Sequence, residues 1–176
     1  MAKKVAVIAF NPVNGLGLFQ YLEAFFENEI PYKTFAIADS KEIKTNSGVS
    51  LILDDVIANL KGHEDEYDAL VFSCGDAMIK FAENADKSYN QDMLEVVKTF
   101  GEKGKIIVGH CAAAVIFDKV GITTGKKVAV HPYGKEAIQN GIAIDDKVTI
   151  DGNLYTAQRE DLIWMFMKKL IKALKE

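Results

Sequence analysis

Only two cysteines, Cys74 and Cys111, occur among 176 residues, and their wide separation excludes a disulfide-stapled scaffold. A reducing compartment fits better, and the expectation is a cytoplasmic protein. No apolar run approaches the roughly 20 residues that a membrane span needs, and no secretory signal precedes Val5. A membrane partner is therefore not expected. Positive charge is not in excess, since 21 Lys and Arg stand against 25 Asp and Glu for a net charge of −4. With no basic cluster interleaved with aromatics, a nucleic-acid partner is excluded as well. Internal repeats, low-complexity tracts and linkers are missing. The length suits one domain, residues 1–176, large enough for a two- or three-layer core. No His, Cys or carboxylate group has metal-ligand spacing. His63 beside Glu64, Asp65 and Glu66 reads as a solvated surface loop, and neither a metal nor a cofactor is expected.

What the chain does have is a strand that turns into a helix with no loop between. In Lys105-Ile-Ile-Val-Gly-His-Cys-Ala-Ala-Ala-Val-Ile-Phe-Asp-Lys119, Ile106 to Gly109 read as a buried strand and Ala112 to Lys119 as a helix. Cys111 sits at the corner. So tight a corner needs small neighbours, and Gly109, Ala112, Ala113 and Ala114 supply them. This is the layout of a nucleophile elbow, which exposes the corner side chain at a helix N-terminus. Unpaired N–H groups and the positive end of the helix dipole favour a thiolate there. The plainer alternative is a small apolar cysteine buried between strand and helix.

The remaining segments set this corner in a fold. Val5 to Phe10 is a continuous apolar run, as in a parallel strand covered on both faces. After the turn Asn11 to Gly15, apolar residues at helical spacing (Leu18, Phe19, Leu22, Phe25, Phe26) predict a helix over 16–29. Strands are expected at 33–38, 49–53 and 69–73, with 39–47 a loop or short exposed hairpin. Asp54 is expected to cap a helix running to Lys61. Asp76 opens a helix with Met78, Ile79 and Phe81 on one side, and 91–101 forms another with Met93, Val96, Val97 and Phe100 inward. Beyond the corner, 127–130 reads as a short strand running into His131-Pro132, and Tyr133 to Asn140 as a helical turn. Residues 147–150 and 153–157 alternate around Asp151-Gly152, a tight-hairpin signal. A last helix, 160–174, turns Leu162, Ile163, Phe166, Leu170 and Leu174 inward. This succession predicts an α/β fold, a three-layer α/β/α sandwich around a mostly parallel, flavodoxin-like sheet. Ligands bind outside the carboxyl ends of such strands. Phe10-Asn11, Cys74-Gly75 and His110-Cys111 all fall there.

Five stretches in order carry a resemblance that runs end to end. They are Val5-Ala-Val-Ile-Ala-Phe10, Tyr67-Asp-Ala-Leu-Val-Phe-Ser-Cys-Gly75, Ile107-Val-Gly-His-Cys-Ala-Ala-Ala114, Val120-Gly-Ile-Thr-Thr-Gly-Lys-Lys-Val-Ala-Val-His-Pro132 and Asp151-Gly-Asn-Leu-Tyr-Thr-Ala157. In these the chain resembles the ThiJ/PfpI (intracellular protease I-like) family, on a class I glutamine-amidotransferase-like fold. The resemblance implies a cysteine-dependent hydrolase acting through Cys111 on a small acyl or carbonyl substrate, or on a peptide. It implies the backbone N–H groups of Gly75 and Ala112 as oxyanion donors. It also sets His131 near the site as the candidate for proton transfer, with a half-buried, backbone-satisfied histidine as the open alternative. A homodimer is implied too, and the aromatic surplus of the first helix (Phe19, Tyr21, Phe25, Phe26) agrees with it.

Two departures from the family pattern stand out. Many members follow the cysteine with a histidine, whereas here Ala112 follows and His110 precedes. Alternation along a strand turns His110 away from where Cys111 acts. Members also carry an acidic residue after the first strand. Gly17 takes that place and Asn14 the other commonly acidic one, so no carboxyl partner is expected and Cys111 relies on the helix end alone. Glu23, two turns further on, reads as structural or interfacial. The alternative function is a non-catalytic redox sensor or stress-response, chaperone-like protein in which Cys111 is oxidised. Cys74, at the neighbouring strand end, would then be available as a redox partner.

Overall fold

Every residue of β1 (Val5–Ala9) is buried, because this strand lies inside a seven-stranded sheet with neighbours on both edges. The computed structural model describes all residues, 1–176. In it β1 pairs in parallel with β2 (Tyr32–Ala36) on one side and β6 (Ala69–Ser73) on the other. Beyond β6 come β7 (Ile106–His110) and β11 (Leu154–Ala157), both parallel. The sheet ends at β5 (Asp55–Val56), parallel to β2, and at β10 (Val148–Asp151), antiparallel to β11 across the expected hairpin turn.

Strand alternation divides the side chains between two cores. Ala6, Ile8, Leu70 and Phe72 point to one face, where α2 (Ser88–Glu102) and α3 (Ala113–Lys119) bring Met93, Phe100 and Phe117. Val5, Val7, Ala69 and Val71 point to the other, where α1 (Gly15–Glu27) and α4 (Trp164–Lys175) bring Leu18, Phe25, Phe166 and Leu170. The two cores hold 23 and 22 buried residues, so the sheet is covered equally on both faces. This is the three-layer α/β/α sandwich that the sequence predicts. No helix is long and apolar enough to cross a membrane.

Local departures have local causes. The helix expected after Asp54 does not form, because its carboxylate accepts from both the N–H and Oγ1 of Thr34, each at 2.8 Å. That tie makes the following residues edge strand β5, with only a 3₁₀ turn (Ile57–Asn59) after it. The helix expected from Asp76 is two 3₁₀ turns, Asp76–Lys80 and Ala82–Asn84, and Ile79 is exposed rather than inward. On α1 the buried row is Leu18, Tyr21 and Phe25, spaced i, i+3, i+7, while Phe19 and Phe26 are exposed. The segment 39–47 supplies β3 (Glu42–Lys44), anchored by buried Ile43, which pairs antiparallel with β4 (Ser50–Ile52), the strand expected at 49–53, in a hairpin apart from the main sheet. β8 (Lys127–Ala129) leaves the main sheet and pairs in parallel with β9 (Ile142–Ile144), a strand the sequence does not announce. His63 meets Glu66 at 2.9 Å on an exposed loop, as a solvated pair.

Candidate active site

At the end of β7 the backbone is forced into a corner. Cys111 has φ +56°, the left-handed region that non-glycine residues occupy at a cost of order 1–3 kcal/mol. Both of its backbone groups are tied down: its N–H donates to the Ala157 carbonyl at 3.0 Å, and its carbonyl accepts from the His131 N–H at 3.0 Å. Gly109 allows α3 to cross close by, since a Cβ there would meet the Ala113 Cβ at 2.6 Å and the Phe117 ring at 2.8 Å. The half-buried Cys111 side chain is thereby turned toward a cavity at the strand ends.

That cavity, about 570 Å³, is lined by all four residues singled out from the sequence: Cys111, His131, Gly75 and Ala112. Gly75 follows β6 and passes so near the first loop that a Cβ would lie 2.1 Å from the Pro12 carbonyl oxygen. No backbone carbonyl takes up its N–H. The Ala112 N–H faces the sulfurs of both Cys111 and Cys74. Nδ1 of His131 accepts from the Tyr133 N–H at 3.3 Å, which leaves the proton of the neutral ring on Nε2.

The thiolate expected at the helix end is not favoured. Burial pushes the Cys111 thiol up; the Ala112 N–H opposes this, but Glu160 and Asp76 add to the rise by charge repulsion. α3 is also only seven residues long. Cys74 is held higher still, by complete burial and by Cys111 beside it. Both cysteines are free thiols.

His110 does turn to the opposite face, where its Nδ1 lies 3.3 Å from the Tyr21 hydroxyl. Burial lowers its pKa to about 3, so the ring is neutral. Its Nε2 has no partner, and the ring reaches the rim of the cavity rather than lying wholly outside it. Gly17 explains this packing. A Cβ at Gly17 would sit 2.6 Å from His110 Nε2 and 2.8 Å from its Cε1, so the imidazole already fills the space one would take.

Gly17 and Asn14 bring no carboxyl group to the site, as expected, but Glu160 lines the cavity from the turn ahead of α4. Asn14 caps α1 by accepting the Gly17 N–H on Oδ1 at 2.8 Å, which aims its Nδ2 at Glu160 Oε1, 3.1 Å away. Gln20 Nε2 holds the Glu160 carbonyl at 2.8 Å. In the sequence Glu160 looks like an ordinary acidic residue at a helix start. Only the parallel pairing of β11 with β7 brings it to the corner.

The DJ-1/PfpI family profile matches residues 3–173. This chain belongs to that family. Protein ppBat of Bacteroides thetaiotaomicron is 70% identical over 175 residues, covering 99% of this chain and 100% of that protein. A crystal structure from the same organism, provisionally named protease I, matches with a TM-score of 0.98 at 70% identity, over 99% of this chain and 100% of that one. A DJ-1 superfamily protein of Salmonella typhimurium shares the fold at a TM-score of 0.84 and 21% identity, over 98% of this chain and 90% of its own. Within this DJ-1/PfpI fold the strained cysteine corner is what the cavity is built around.

Proposed function

We propose that this protein is a cysteine-dependent hydrolase acting on a small acyl or carbonyl substrate through Cys111. The observation that carries the reading is the left-handed backbone at Cys111, which turns a thiol into a 570 Å³ cavity beside the free N–H of Gly75. In this reading the sulfur attacks the carbonyl carbon, and the Gly75 and Ala112 N–H groups receive the developing oxyanion. His131 Nε2–H is a third donor toward the bound substrate. The provisional name protease I of the Bacteroides protein agrees with acyl chemistry. A thiol held protonated by burial and two carboxylates suits a peroxide sensor less well, because peroxide reacts with thiolate. The test is turnover of p-nitrophenyl acetate by the protein and by Cys111→Ser. Loss of turnover to the uncatalysed background in the variant supports the reading, and unchanged turnover ends it.

A further inference from the structure

Glu160 has no place in the reading above, and its setting is unusually determined. It enters the cavity from the turn before α4, and its Oε1 accepts from Asn14 Nδ2 at 3.1 Å. The orientation of that amide is fixed from behind, because Gly17 N–H occupies Asn14 Oδ1. The neighbouring Arg159 does not neutralise Glu160, since its guanidinium is engaged by both carboxylate oxygens of Asp161 at 3.0 Å. The Glu160 carboxylate and the Cys111 thiol line the same cavity, the juxtaposition that a general base and its proton donor require. His131 already has its Nδ1 engaged by the Tyr133 N–H at 3.3 Å. His110 Nε2 is enclosed by Gly17 and the sheet.

We propose that Glu160 is the catalytic carboxyl that takes up and returns the Cys111 proton. The proposal rests on the hydrolase reading and adds its missing acid–base group. Glu160 accepts the thiol proton as sulfur attacks the acyl carbon, and the carbonyl electron pair moves onto oxygen. When that pair returns, the bond to the leaving group breaks, and the leaving group takes the proton from Glu160. Water then attacks the thioester while giving a proton to Glu160. The carbon–sulfur bond breaks, and the proton passes from Glu160 to sulfur. Thiol and carboxylate are regenerated, with one water consumed and one acid released.

The titratable and charged groups that line the cavity with the thiol are Glu160 and Arg159 ahead of α4, Asp76 and Cys74 after β6, His131 after β8, and His110 at the rim. Glu160→Gln keeps the acceptor for Asn14 and removes only the charge and the proton. Iodoacetamide labelling of Cys111, followed by peptide mass spectrometry from pH 6 to 10, reads its effect without requiring turnover. The expected profile for Glu160→Gln shifts to lower pH by about half a unit, about threefold faster labelling at pH 8. Asp76→Asn is the control, with a smaller shift in the same direction. A profile superimposed on the parent overturns the proposal. Turnover supplies the second readout. Glu160→Gln is expected to slow hydrolysis of p-nitrophenyl acetate and of an ethyl ester alike in the attack step, and to lose the ethyl ester further, by about a hundredfold, because its alkoxide must also be protonated on leaving. Undiminished hydrolysis of either ester also overturns it. If the parent turns over no ester while the labelling shift stands, the hydrolase reading fails and Glu160 remains the proton partner of the thiol.

Discussion

The parallel strands β6 and β7 run in register through Phe72 and Gly109, so that each ends in a cysteine beside the other. The chain leaves the two ends differently. After β6 it stays extended, passing through Gly75 beneath Pro12, and Cys74 is left 1% exposed. After β7 it turns through φ +56° directly toward α3, and Cys111 is half-exposed to the cavity. Similar sulfurs on adjacent strands therefore have different fates, and the backbone at one residue decides which. In the proposed hydrolase the extended exit supplies an N–H donor and the strained exit the attacking sulfur.

The largest effect expected from this contrast is kinetic. In the native protein Cys111 should alkylate directly, whereas Cys74 waits for local opening. An opening that costs about 4 kcal/mol would slow Cys74 by about a thousandfold. Peptide mapping after timed alkylation measures both sites in one sample. Comparable native rates would mean that the β6 end is as open as the β7 end, and the contrast would be lost.

Next in size is the fit of the extended exit itself. Gly75→Ala sets a Cβ 2.1 Å from the Pro12 oxygen and 2.5 Å from the Val13 Cα, both backbone atoms that cannot rotate away. The expected loss is about 3 kcal/mol in urea unfolding. A loss under about 0.5 kcal/mol would mean that the first loop moves freely and that the Gly75 N–H is not held in place.

The contrast between strand ends was legible in part. Period-two and apolar runs reveal parallel strands because burial on both faces leaves no polar side, and Gly109 with Ala112 to Ala114 announces the corner. The short 3₁₀ turns after Asp54 and Asp76 were not legible, since a carboxylate that looks like a helix cap can bond to a distant strand, as Asp54 does to Thr34. Glu160 was hidden for a similar reason. Its place in the lining of the Cys111 cavity depends on β11 docking beside β7, which no local pattern records. Burial raises the Cys111 thiol more than the Ala112 N–H lowers it, and no sequence pattern records how deeply the corner is buried.

The smallest effect is a pH dependence that separates the penultimate positions of the two ends. Ser73 and His110 are both fully buried, and each has one unpartnered polar atom, but only His110 titrates. Its pKa falls from an ordinary 6.5 to about 3 because burial penalises the charged ring. Above pH 6.5 the ring is neutral in both folded and unfolded chains, and its full contribution to stability is present. As pH drops below 6.5 the unfolded chain binds a proton that the folded one refuses, so stability falls until about pH 3. The limiting slope for one such group is about 1.4 kcal/mol per pH unit. Urea midpoints between pH 7 and 4.5 should therefore decline in the parent and decline less in His110→Asn, which does not titrate. Matching slopes in parent and variant would mean that water reaches the His110 ring. The β7 end would then be open on its α1 face as well as at the cavity, and Gly17 would no longer be a glycine for reasons of space.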